Sequence, residues 1–298
     1  MGCEKSASEG RIALPKLIKR IKRICRRYPS FVLLLLLCLF FLLLLLIFHR
    51  EPKNSPAAPA PAPQPEKTEA PLVTAEQMKQ MTYIDSKLGE LKWNLSEQSL
   101  AELNRVLREY NICEPQQISH FLAQATVETA AGKKLTETGD DEYFEKHGYS
   151  AGARGAGYLH LTHDYGQMAF STWMMKKYVP ELKDIAYQNP ASSTKDQVTQ
   201  AYYAALRQAA NLGLDVSAYS RIVYDENCPV STGADYIAEA FAWESAGYYW
   251  QAAGIGEALS SSPGAAGVDI VSQRVGGGNW QSRREAYAAF YPVLNNQP

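Results

Sequence analysis

Residues 31–48 read FVLLLLLCLFFLLLLLIF, eighteen apolar residues in a row with no charge, glycine or proline. At about 1.5 Å of rise per residue, a helix of that length covers about 27 Å, close to a hydrocarbon core of ~30 Å. A buried helix of a soluble domain is rarely apolar on every face. The run from Phe31 to Phe48 is therefore expected to be one transmembrane helix. Upstream lie Arg11, Lys16, Lys19, Arg20, Lys22, Arg23, Arg26 and Arg27; close downstream lie only Arg50 and Lys53. Lys and Arg accumulate on the cytoplasmic side of a span. Residues 1–30 are thus expected in the cytoplasm, and the rest outside it, in a periplasm or at the cell exterior. A cleaved signal peptide is the rival reading, but its apolar region would be ~7–15 residues. An uncleaved signal anchor fits the longer run better. Within residues 16–27, Leu17, Ile18, Ile21 and Ile24 recur at helical spacing among the basic residues, so this stretch suits the inner leaflet as an amphipathic helix.

Residues 49–72 are rich in Pro and Ala and too poor in large apolar side chains to build a core. They read as an extended linker, about 60 Å long over twenty residues of polyproline II. The formal net charge is −1, but the basic residues before the span mean that the remainder is acidic on balance. That balance argues against nucleic acid as the partner of the outer part. Cys113 and Cys228 are the two cysteines beyond the span; one disulfide and two free thiols are both open.

Residues 73–298 are long enough for one sizeable domain, and helical periodicity dominates them. Ser96 is placed to cap a helix through Leu100, Leu103, Leu107 and Tyr110. Pro115 opens another, with Ile118, Phe121, Leu122 and Ala125 on one face. Residues 197–212 and 234–246 predict two more. Alternating strand patterns are scarce, with only residues 157–162 hinting at an extended piece. The expected class is mainly α.

His160 and His163 are three apart, with no nearby Cys or His to complete a metal site. Neither a metal nor a cofactor is expected. The carboxylates that stand out are Glu128 and Glu137. Glu128 lies within FLAQATVETAAG, where apolar surroundings would raise its pKa, as a general acid requires. Glu137 lies in the polar stretch TETGDDEYFE, where it would stay ionised. Two carboxyl groups in contrasting environments are what glycoside hydrolysis requires.

Several blocks carry a resemblance. Residues 103–129 (LNRVLREYNICEPQQISHFLAQATVET) resemble the opening of glycoside hydrolase family 19, the plant-type chitinases and related endolysins. Glu128 and Glu137 are nine apart, as are the two glutamates of the short-loop members. RGAGYLHLT (154–162) resembles the family's RGRGxIQLT, and Asn189-Pro190 its NP segment. AFAWESAGYYW (240–250) and RVGGGNWQSRREAY (274–287) resemble its aromatic-rich helix and its RINGG segment with the following helix. The resemblance implies a lysozyme-like, two-lobed helical domain and an inverting hydrolase of N-acetylglucosamine polymers, peptidoglycan or chitin. It implies that Glu128 protonates the glycosidic oxygen and that Glu137 activates water. Tyr158, His160, Trp243, Gly276 and Arg283 are then the expected substrate-binding positions, with Trp280 a further candidate for sugar stacking.

The departures are specific. Val127 replaces the histidine before the first glutamate, Ala156 the second arginine of RGRG, His160 its glutamine, and Gly276 the asparagine of NGG. They motivate an alternative: a wall-binding module, impaired in catalysis, that holds glycan without cutting it. A third class is an assembly protein that docks partners on its helical surface.

Overall fold

The computed structural model describes residues 70–86, 88–228 and 230–296. The expected span, its basic flank and nearly all of the linker lie outside the described residues. Among those described, no helix is long and apolar enough to cross a membrane.

The class is mainly α, as the periodicity predicts. Thr74 caps α1 (Ala75–Gln80) through a reciprocal pair with Gln77. A two-stranded antiparallel hairpin follows, β1 (Thr82–Asp85) and β2 (Gly89–Lys92), with Tyr83 opposite Leu91. Its strands are four residues each, too short for alternation to betray them. Ser96 then caps α2 (Glu97–Glu109), its hydroxyl accepting from the Ser99 N–H. Leu103, Val106 and Leu107 of α2 are buried.

Pro115 occupies the first turn of α3 (Pro115–Thr129), where its missing N–H leaves no bond unmade. Every residue from Ile118 to Thr126 of α3 is buried, so this helix is central rather than amphipathic. After it come α4 (Asp141–Lys146), α5 (Asp164–Tyr178), α6 (Lys195–Asn211), the short α7 (Ser217–Ser220), α8 (Ala234–Ala240), α9 (Ala242–Ala252), α10 (Ile255–Ser260), α11 (Gly267–Val275) and α12 (Trp280–Asn295).

The helix expected over 234–246 is in fact two. Phe241 (φ −139°, ψ 26°) breaks it. No proline or glycine marks the break. It turns the Phe241 ring edge-on to Phe170 and Tyr236, and lets the start of α9 bury Trp243 and Glu244. Packing thus overrides helical continuity. The extended piece expected at 157–162 proves to be a tight loop in which Ala156 bridges Leu161.

Residues from Ala70 onward form one unit. Its principal core joins α2, α3, α9 and α12 around Phe121, Leu103, Tyr248 and Phe290. A smaller cluster, including Met175, Leu182, Tyr202 and Ala205, lies where α5 meets α6. The most extensive helix pairing is α3 on α12, and that pairing positions the candidate site. Cys113 and Cys228 are free thiols.

Candidate active site

Glu128 occupies the last turn of α3, eight residues after His120 and four after Gln124, so all three share a face. Arg283, from the facing α12, lies beneath that face and is only 2% exposed. Its three guanidinium nitrogens are all engaged. Nη2 donates to Glu128 Oε1 at 2.6 Å, Nε donates to the Gly278 carbonyl at 2.9 Å, and Nη1 donates to Gln124 Oε1. Gln124 in turn donates to Ser272 Oγ of α11 at 3.2 Å. Glu128 is thus fixed through α3, α11 and α12 at once.

The glycines of 276–278 serve this pairing. Gly276 ends α11 in the left-handed region (φ 78°), where a residue with a Cβ is strained. A Cβ on Gly277 would lie 1.7 Å from Arg283 Nη2 and 2.8 Å from Glu128 Oε1. Only glycine lets the chain pass over the ion pair.

At the end of α3, Ala130 and Ala131 adopt positive φ (51° and 58°) and Gly132 follows at 82°. The hydroxyl of Thr129 accepts from the Gly132 N–H at 2.8 Å. These left-handed residues turn the chain back, so that Leu135 and Glu137 pair with the loop at 154–157. The Glu137 N–H donates to the Gly155 carbonyl at 2.7 Å, and the Gly157 N–H to the Leu135 carbonyl at 2.9 Å. Ala156 lies between, bridged to both Thr136 and Leu161 and fully buried.

The Glu137 side chain takes uncharged donors. Tyr143 Oη donates to its Oε1 at 3.0 Å, and Tyr149 Oη lies 2.9 Å from each oxygen. The Gly155 N–H donates to Oε2 at 3.1 Å. The carboxylate in return pushes both phenols up: for Tyr143 the hydrogen bond is the main cause, for Tyr149 burial first and then the bond.

His160 stands beside Glu128, itself at positive φ (48°). Its Nδ1 is 3.5 Å from Glu128 Oε2. A Cβ on Gly155 would meet His160 Cβ at 2.9 Å and Glu137 Oε2 at 3.3 Å. The His160 ring meets Glu128, and Gly155, whose N–H donates to Glu137, lies beside the His160 Cβ.

Three expectations are corrected. Glu128 does not face an apolar wall; its carboxylate meets a cation, because the face of α3 shared by residues 120, 124 and 128 is the polar one. Tyr158 and Trp243 are not sugar platforms. They stack on each other with centroids 3.4 Å apart, are 4% and 2% exposed, and Trp243 Nε1 donates to Ser99 Oγ at 3.0 Å. They belong to an aromatic core with Trp93 and Phe121. Arg283, expected at the surface of a cleft, is buried and holds Glu128. Trp280, by contrast, is 40% exposed and tied to Gly277 by its indole N–H at 3.0 Å, so it stands beside the site.

Gln124, Gly277, Tyr143, Tyr149 and Gly155 were not singled out from the sequence. Gln124 was legible, since it lies at i−4 from Glu128 on one helical face. The tyrosines follow Glu137 by six and twelve residues, and only the turn at α4 brings them back. Comparison with protein-family models, with curated proteins and with solved structures gives no match.

Proposed function

We propose that the chain is a membrane-anchored glycoside hydrolase that cleaves β-1,4 bonds of N-acetylglucosamine-containing polymers by inversion. The observation that carries this reading is that Glu128, against His160, and Glu137, against Gly155 beside His160, lie in one neighbourhood, each built in by its own set of donors. An inverting pair needs its carboxyls about 6.5–9.5 Å apart, with room for water between them. In this reading Glu128 donates a proton to the glycosidic oxygen as the C1–O bond breaks. Water adds to C1 from the opposite face, and its proton passes to Glu137. Glu128 keeps part of its surface open, its side chain being 17% exposed. His160 is placed to orient either the acid or the sugar. Trp280 offers an exposed ring for stacking.

A lysozyme-like, two-lobed arrangement is consistent with the two separate hydrophobic clusters. The signal anchor of residues 31–48 and the linker would hold the domain outside the cytoplasm, within reach of a wall. A tether of this kind favours peptidoglycan, laid beside a bacterial membrane, over chitin. The test is sugar release by the full chain from purified peptidoglycan and from chitin oligomers, with Glu128→Gln and Glu137→Gln beside it. Activity in the parent that falls by about 10²–10⁴ in either variant supports the mechanism. Unchanged activity in Glu128→Gln sinks it. The second reading, a glycan-binding module without turnover, draws on His160 in place of glutamine and on the lack of a side chain at Gly276. Retention on peptidoglycan with no released sugar selects it.

A further inference from the structure

Arg283 meets Glu128 at one point. An arginine and a carboxylate commonly close as a fork, with two parallel N–H···O bonds that engage both oxygens. Here a single hydrogen bond joins them, from Nη2 to Oε1 at 2.6 Å. The other two guanidinium nitrogens are turned elsewhere, Nη1 to the Gln124 side chain and Nε to the Gly278 carbonyl. The Gly277 backbone covers the bonded edge, since a Cβ there would lie 2.8 Å from Oε1. Among the described residues, no hydrogen bond reaches the other oxygen, Oε2; His160 Nδ1 lies 3.5 Å from it.

Gln124 is held from behind. It and Ser272 are fully buried. A guanidinium only donates, so the atom of Gln124 that faces it is the amide oxygen. The amide nitrogen then donates to Ser272 Oγ at 3.2 Å, and the Ser272 hydroxyl donates to the Val268 carbonyl at 2.7 Å. The chain of bonds runs in one direction from α12 through α3 to α11. Gln124 and Ser272 are uncharged, and among the described residues Glu128 is the carboxylate paired with Arg283.

A general acid needs an oxygen free to carry its proton. A guanidinium closed on both oxygens favours the anion and engages each of them. We propose that Gln124, braced by Ser272, is a positioning residue for the acid: it holds Nη1 of Arg283 away from Glu128, so that the ion pair stays one-point and Oε2 stays free to carry a proton to the glycosidic oxygen. This role rests on the reading of Glu128 as the acid. The charged and titratable groups that face Glu128 are Arg283 of α12, His160 of the loop after Gly157 and, at longer range, Tyr249 of α9. Gln124 acts on the first of these alone.

The test uses the full chain, with sugar release from peptidoglycan sacculi and from an N-acetylglucosamine tetramer followed across pH. Activity that needs a protonated acid is lost on the alkaline limb of the profile. Gln124→Met keeps the length of the side chain and removes the acceptor, so Nη1 is released and the fork can close on both oxygens of Glu128. It should lower kcat by about tenfold with KM little changed, and move the alkaline limb down by about one pH unit. Gln124→Glu keeps an acceptor on Nη1 but gives Arg283 a second carboxylate, which weakens its hold on the Glu128 anion. It should move the alkaline limb up by about one pH unit. A role in packing alone moves neither limb. Limbs that stay at the parent's position, or that move the same way in both variants, overturn the proposal. Should one Gln124 variant fail to fold, the limb of the other decides; should both fail, Ser272→Ala decides, and a limb at the parent's position there overturns the proposal. If Glu128→Gln is inactive while the Gln124 limbs stay in place, the acid assignment stands and only the role of Gln124 falls. If Glu128→Gln is as active as the parent, or the parent releases sugar from neither substrate, the two fall together.

Discussion

Glu244 and Glu128 are both held by arginine, and they differ in what surrounds them. Glu244, at the start of α9, is 2% exposed. It meets Arg105 of α2 and Lys177 of α5, with the Tyr110 and Tyr178 hydroxyls at 2.7 Å and 3.2 Å. Burial pushes its carboxyl up, but the two cations outweigh that and hold it below the usual range. Glu128 has the same kind of partner in Arg283, yet it keeps an open face beside His160, Gly277 and the exposed Trp280. An enclosed charge cluster pins helices together. A charge cluster with one open side can meet a ligand. Arginine beside a carboxylate does not by itself mark an active site.

The sharpest way to break the comparison is to neutralise each glutamate. Glu128→Gln should cost activity by about 10²–10⁴ and also lower stability, because it leaves Arg283, 2% exposed, without its carboxylate partner. Glu244→Gln should lower stability and leave activity nearly in place. It leaves Arg105 and Lys177 facing a buried amide, and a denaturant titration should show a loss of about 3–5 kcal/mol. An equal fall in activity with no loss of stability for Glu244→Gln would erase the distinction.

Next in size is Gly277→Ala. Its Cβ would overlap the Arg283 guanidinium, so Arg283 must move and carry Glu128 with it. A misplacement of about 1 Å costs on the order of 10² in rate; kcat measured beside thermal stability separates this from unfolding.

The third prediction concerns acid. His120 is fully buried on the same face of α3 as Glu128, stacked on Tyr287 with centroids 4.2 Å apart. Burial pushes its imidazole from 6.5 down to about 4, the Gly264 backbone opposing. The unfolded chain therefore binds the proton first. Stability from neutral His120 is present above pH 6.5 and is lost as pH falls toward 4, by about 3 kcal/mol. Glu244, depressed below its ordinary 4.5, adds a further loss at lower pH still. Denaturant midpoints for His120→Phe should show a flatter fall between pH 6.5 and 4 than the parent.

The smallest effect is local. Ser96→Ala removes the hydroxyl that caps α2 and should lower stability by about 1 kcal/mol without touching sugar release.

Much of the scaffold was legible before any coordinates. The caps at Ser96 and Pro115 set the starts of α2 and α3, because a capping bond involves residues three apart and a first-turn proline needs no partner. The nine-residue spacing of Glu128 and Glu137 was equally plain. The hairpin at 82–92 was missed because four-residue strands carry too little alternation. The break at Phe241 was missed because a ring seeking Phe170 leaves no local mark.

From sequence alone come the apolar run at 31–48, the mainly helical class, and the nine-residue spacing of two carboxylates. These are properties of composition and of spacings within one or two helical turns, and local chain geometry fixes them. The tertiary structure decided which rings are core and which are exposed, so that Tyr158 and Trp243 went inward and Trp280 stayed out. It also decided what each glutamate touches. Arg283 reaches Glu128 across 155 residues of chain, and Tyr149 reaches Glu137 only through the turn at α4. Contacts of that kind depend on how faces pack together, which no periodicity within a single helix encodes.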